Sequence, residues 1–279
     1  MADLDPREYY TENAEREFDR LTETLPKRLE WEHTVAALED ALPDGGRVLD
    51  AGGGPGRYSI WLADRGHDVV HCDLTPELVA LAREKTADAG VADRVDSQVG
   101  DVRDLPYEAD AFDAVCCLGG VLSHVLDERE RERAVAELHR VARPGAPVAV
   151  SVIGRVGGVR RALKSLGEAD DPHPGRSEVL EHYARTGDFT EGVLERFDLG
   201  DGWAENHAFR VAELESLLEA GGLDPERVVA LEGPTAALHE ELADPLEHVA
   251  DAARAVAAEF RDDRALADVS EHFLVLTRA

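Results

Sequence analysis

Apolar residues recur three and four apart near the start of the chain. Tyr10, Ala14, Phe18, Leu21 and Leu25 fall on one face, which predicts a helix over 8–25. Pro26 ends it. Trp31, Val35, Leu38 and Leu42 keep the same period and predict a second amphipathic helix, closed by "PDGG". The rhythm then changes to short apolar runs separated by helical stretches. Strands are predicted at 47–50, 68–73, 95–99, 112–118 and 148–153. Between them lie a helix from about Arg57, a helix from Pro76 to Gly90 with Thr75 as its N-cap, and the charged helix "DERERERAVAELHRVAR". Strand–helix alternation at this spacing implies a parallel sheet covered on both faces. The ligand site of such a doubly wound sheet lies at the carboxyl ends of its strands.

The pattern weakens after Ile153. Residues 154–208 are rich in Gly and Pro and read as an irregular insertion with one or two helices. A helix returns at "RVAELESLLEAGGL", then a sixth strand at "RVVALEG". An alanine-rich helical insertion follows over about 235–267, and "HFLVLTRA" is a seventh strand. This divides the chain into a helical cap, 1–44, and one sheet domain, 45–279.

The turn after the first strand reads "DAGGGPGRY", residues 50–58. Glycine-rich turns there admit a nucleotide, either a phosphate-bearing dinucleotide or a phosphate-free sulfonium cofactor. The dinucleotide fingerprint needs a third glycine three positions after the second. Arg57 stands there, and the third glycine comes early, at Gly56. Asp50-x-Gly52-x-Gly54-x-Gly56 resembles motif I of the class I S-adenosylmethionine-dependent methyltransferases. "GDVRDLP" at 100–106, "FDAVCCLGGVLSH" at 112–124 and "RVARPGAPVAVS" at 140–151 are similar to that family's later motifs.

The resemblance implies a Rossmann-like sheet of seven strands, mostly parallel, with an antiparallel last strand. It implies S-adenosyl-L-methionine as cofactor, held by Asp50, Gly52, Gly54 and Gly56 at its methionine half. Asp73 would accept the ribose hydroxyls and Leu74 would lie against adenine. Asp101 and Val102 would meet the adenine edge, and Leu118 would lie near the methyl group. The opening "YYTENAEREFDRL" looks like the cap helix of small-molecule members. Methyl transfer to a small molecule is the expectation. The alternatives are an RNA or protein methyltransferase, a non-catalytic S-adenosylmethionine-binding protein, and an NAD-dependent oxidoreductase.

His124, beside Ser123 just after the fourth strand, is the candidate general base, because imidazole titrates near neutrality. Helix capping is the plainer reading of that pair. Tyr9 and Tyr10 could close over the site. His182, Tyr183 and Trp203 lie where an insertion would roof an acceptor pocket. The place after the fourth strand reads "LGGVLSH", without the proline-rich run of nucleic-acid amino-methyltransferases. "DDPHP" at 170–174 has no second ligand cluster at metal spacing, so no metal is expected.

Composition adjusts this picture. Acids outnumber bases 59 to 30, for a net charge of −29, and only Lys27, Lys85 and Lys164 are lysines. A surface this acidic disfavours non-specific nucleic-acid binding. It resembles the proteins of salt-in halophiles, whose carboxylates keep them soluble in molar salt. Cys72, Cys116 and Cys117 fall in or beside predicted strands and read as reduced, buried thiols. No apolar run reaches membrane-spanning length and no apolar signal core opens the chain, so a cytoplasmic protein away from membranes is expected. The acceptor, its receiving atom and the oligomeric state have no signature in the sequence.

Overall fold

The computed structural model describes residues 5–168, 175–199 and 204–279. Two short helices open it, α1 (Pro6–Glu12) and α2 (Ala14–Asp19), then a 3-10 turn (Arg20–Thr22) and α3 (Leu25–Ala41). The helix expected over 8–25 is thus broken at Asn13, whose side chain turns back to the Tyr9 carbonyl at 2.8 Å. Pro26 starts α3 instead of only ending its predecessor. It sits in the first turn, where a missing N–H costs nothing.

Next come β1 (Gly46–Ala51), α4 (Arg57–Asp64), β2 (His67–Asp73), α5 (Pro76–Asp88), β3 (Val95–Val99), β4 (Ala114–Cys117), α6 (Glu128–Val141) and β5 (Pro147–Ile153). The segment expected to be irregular holds α7 (Arg155–Glu168), α8 (Gly175–Thr186), β6 (Asp188–Phe189), α9 (Glu191–Arg196) and β7 (Asn206–His207). It is therefore mainly helical. The chain closes with α10 (Val211–Ala220), β8 (Asp224–Ala230), α11 (Glu247–Glu259), α12 (Arg264–Val269) and β9 (His272–Arg278). The sixth strand starts three residues before the "RVVALEG" run, at Asp224.

The main sheet runs β3-β2-β1-β4-β5-β9-β8. The pairings from β3 through β5 are parallel, and β9 is antiparallel to both its neighbours. The order reverses between β1 and β4, which opens a crevice at their carboxyl ends. Alternate strand residues feed two cores. Leu49, Val70, Val115 and Val150 pack under α6, α10 and α12. Val48, Val69, Ala114 and Leu274 pack under α3 and α4. Asp50, His71 and Asp73 share the α4 side by the two-residue period of a strand.

All three cysteines are free and buried. Burial pushes the Cys72 thiol up to about 12 and Cys116 and Cys117 higher still, so none is a poised nucleophile. No helix among the described residues is long and apolar enough to cross a membrane.

Candidate active site

The glycine turn leaves β1 at Ala51. The N–H groups of Gly52 and Gly53 both donate to the Cys72 carbonyl, at 2.7 and 3.1 Å, and tie the turn to β2. Gly52, Gly54 and Gly56 have φ of +74°, +53° and +88°, a region that other residues enter at a cost. A Cβ on Gly52 would lie 2.3 Å from Val121, while one on Gly54 would meet nothing within 4 Å. The Gly54 backbone therefore faces open space. That space is a cavity of about 550 Å³ at the crevice, within the range of small-molecule sites.

Three carboxylates reach it from three strand ends. Asp73 accepts the N–H of Gly54 through Oδ2 and that of Thr75 through Oδ1, both at 2.9 Å. Each oxygen keeps a further lone pair for the cavity. Burial raises its pKa against those two bonds. Asp50 is 1% exposed; its Oδ2 accepts Ser59 Oγ at 2.6 Å, and its Oδ1 has no partner. Burial raises Asp50 as well. Asp101 is held by the fork of its own neighbour, Arg103, at 2.6–3.0 Å, which lowers its pKa.

The opposite wall comes from the N-terminal segment. Tyr10 of α1 hydrogen-bonds His124 Nε2 at 2.8 Å, and His124 Nδ1 lies 2.8 Å from the Glu205 carbonyl. A carbonyl only accepts, so Nδ1 carries the proton and Nε2 receives the Tyr10 O–H. Burial lowers the His124 pKa and raises that of Tyr10, so both are neutral at pH 7. Both line the cavity.

Residues 48–145 match the family model described as "Methyltransferase domain". A ubiquinone biosynthesis O-methyltransferase of Xanthomonas axonopodis pv. citri is 42% identical over 131 residues, which is 47% of this chain and 50% of that protein. An Arabidopsis thaliana tRNA (carboxymethyluridine(34)-5-O)-methyltransferase is 35% identical over 118 residues, 42% of this chain and 26% of its own length. The chain thus spans half or less of these relatives. The fold of a SAM-dependent methyltransferase from Methanosarcina mazei superposes with a TM-score of 0.57, at 20% identity, over 87% of this chain and 96% of that one. Residues 48–145 form a class I S-adenosylmethionine-dependent methyltransferase domain.

The cavity of this methyltransferase domain suits the cofactor. The open Gly54 backbone, the unpartnered Asp50 Oδ1 and the spare lone pairs of Asp73 are the groups an adenosyl amino acid needs. Leu74, Val102 and Leu118 line the same cavity as Asp50, Gly52, Gly54, Asp73 and Asp101. Gly56 does not. It forms the left-handed N-cap of α4, where a Cβ would sit 3.0 Å from Ala82.

Of the residues expected around an acceptor, Tyr10 and His124 meet, and Tyr9, Ser123, His182 and Tyr183 do not line the cavity. Tyr9 is outside the lining and packs edge-on against Tyr10. Ser123 is fully buried, and its Oγ accepts the Ile153 N–H at 3.0 Å, which pins its turn to β5. Tyr183 is buried within the insertion, its hydroxyl 3.3 Å from Asn206 Oδ1, and His182 beside it also lies off the cavity. Trp203 and all of "DDPHP" fall outside the described residues.

Sequence reading missed Glu17 and Arg20, which also line the methyltransferase cavity. Arg20 forks onto Glu30 with two 2.8 Å bonds. Behind Glu30, His272 lies 2.9 Å from Glu232 and 3.5 Å from Glu30. Glu30, Glu232 and His272 are grouped closely enough to surround a cation, and the Arg20 guanidinium already supplies one. The available signal was polar: Glu30, His33 and Thr34 interrupt the apolar period of α3, yet all three are buried.

Proposed function

We propose that this chain methylates a hydroxyl oxygen of a small-molecule acceptor held between the glycine turn and α1. The Tyr10–His124–Glu205 chain is the observation that carries the reading. S-adenosylmethionine, when bound, supplies a methyl group on a sulfonium. An alcohol or phenol that takes that methyl must lose its proton as the C–O bond forms, and the protonated ether is so acidic that a weak base suffices. The acceptor proton passes to the Tyr10 oxygen as the Tyr10 proton passes to His124 Nε2. Glu205 stabilises the imidazolium through Nδ1–H. Asp73, Asp50 and the Gly52–Gly54 backbone would hold the cofactor and so align it with the acceptor. Two relatives whose names specify oxygen as the methylated atom support the choice of atom.

The test supplies deuteromethyl cofactor with pooled phenols, alcohols, amines and bulk tRNA, and reads the labelled product by mass spectrometry. Label in a low-molecular-weight methyl ether is expected. Tyr10→Phe and His124→Gln should each lower kcat by about 100-fold or more while cofactor affinity persists. Label confined to amines overturns the hydroxyl reading. Label confined to tRNA favours an RNA substrate, the reading suggested by the Arabidopsis relative. Cofactor binding with no label anywhere favours a non-catalytic role.

A further inference from the structure

Three side chains support the glycine turn from beneath, on the α4 side of the sheet. Asp50 and His71 stand directly opposite each other in the β1–β2 register, and Asp73 follows two residues along. His71 is fully buried, and its Nε2 lies 2.9 Å from the Gly54 carbonyl oxygen. That oxygen only accepts, so Nε2 carries the proton. The Gly54 N–H meanwhile donates to Asp73 Oδ2 at 2.9 Å. Both peptides that flank the Gly54 Cα are therefore held by side chains of one strand. The turn also rests on the ring: a Cβ on Gly53 would lie 2.5 Å from His71 Cδ2. His71 itself does not line the cavity, whereas Gly52, Gly53 and Gly54 do. Its Nδ1 has no partner.

We propose that His71 is a positioning residue for the cofactor, drawing the Gly54 carbonyl beneath the turn so that it does not face the bound ligand. The proposal rests on S-adenosylmethionine as the ligand of this cavity. Without the Nε2–H, the part-buried Gly54 carbonyl loses its side-chain donor, and rotation toward the cavity would give it a new partner in water. That rotation sets a C=O dipole against the cofactor and loosens the Asp73–Gly54 bond next to it.

The experiment is titration calorimetry of the full chain with S-adenosylmethionine and with its demethylated product. His71→Leu should raise both Kd values about tenfold or more. His71→Gln, whose amide N–H can reach the same oxygen, should stay within about threefold of the unaltered protein. A purely structural role would instead lower Tm in both variants without separating their affinities. Affinity that survives His71→Leu, or Gln no better than Leu, overturns the role. Where the variants do not fold, nitrogen shifts of the His71 ring in the unaltered protein decide. The Nε2–H tautomer, perturbed on cofactor titration, is expected; the Nδ1–H tautomer or an unmoved signal overturns it. Failure of the unaltered protein to bind the cofactor sinks the cofactor reading and the role of His71 together.

Discussion

Replacing Glu30 by Gln removes the negative half of a pair that fixes one cavity wall to the sheet. Glu30 is 2% exposed on α3, Arg20 projects from the 3-10 turn, and His272 reaches the pair from β9. Burial alone would raise the Glu30 carboxyl. Arg20 and His272 overcome that and hold it at about 2, from an ordinary 4.5. At about 1.4 kcal/mol for each tenfold change in proton affinity, this corresponds to about 3 kcal/mol in favour of the charged, folded form. Breaking a buried pair costs about 3–5 kcal/mol by a separate route, and Arg20 would be left with the Glu17 carboxylate at 3.3 Å. The depressed carboxyl stabilises the fold fully above pH 4.5, and that contribution is lost as pH falls toward 2. Urea unfolding at constant KCl should therefore place Glu30→Gln about 3 kcal/mol below the parent at pH 7, with the gap closing through the acid range. Arg20→Met combined with Glu30→Leu should recover much of that loss, since matched apolar groups avoid desolvation. A second readout is His272, whose pKa Glu30 and Glu232 raise against its burial. NMR titration should show it falling in Glu30→Gln. A loss under about 1 kcal/mol at pH 7, or single losses that simply add in the double variant, would refute the reasoning.

Gly53→Ala should cost several kcal/mol and abolish cofactor binding, because its Cβ meets His71 at 2.5 Å and Asp50 at 2.7 Å. Gly54→Ala should cost only about 1 kcal/mol, for its left-handed φ; equal losses by thermal unfolding would contradict this. A thiol reagent should label none of the three buried cysteines in the folded protein, and one label by intact mass would show an opening the structure lacks. The 59 acids against 30 bases predict a Tm that climbs with KCl into the molar range, where the screening length shrinks to about 3 Å. Highest stability in dilute buffer would remove that expectation.

Hydrophobic period located the strands of the nucleotide half almost to the residue, because buried parallel strands are short apolar runs with few ways to pack. The same criterion misjudged α3. Trp31, Val35 and Leu42 are only partly buried, while Glu30, His33 and Thr34 are interior. A polar side chain can occupy the core when its partners come from distant segments. His33 Nδ1 is satisfied by the Leu231 carbonyl at 2.9 Å, and Glu30 by Arg20. No local pattern encodes such pairings. That Asp50, Gly52, Gly54, Asp73 and Asp101 line one cavity was foreseeable because each sits at or just after the carboxyl end of a strand. Ser123 and Tyr183 were misplaced because the hydrogen bonds that occupy them, to Ile153 and Asn206, come from elsewhere in the chain.

The two ring nitrogens of His124 draw on separate parts of the chain. One takes the phenol of α1, the other a carbonyl of the segment after β5. The second contact uses main chain only, so nearly any residue at 205 preserves the tautomer. The segment can therefore diverge in sequence without disturbing the proton's destination. Among the described residues of 154–208 only Glu205 lines the cavity, so substitutions elsewhere in that insertion should leave the His124 tautomer untouched.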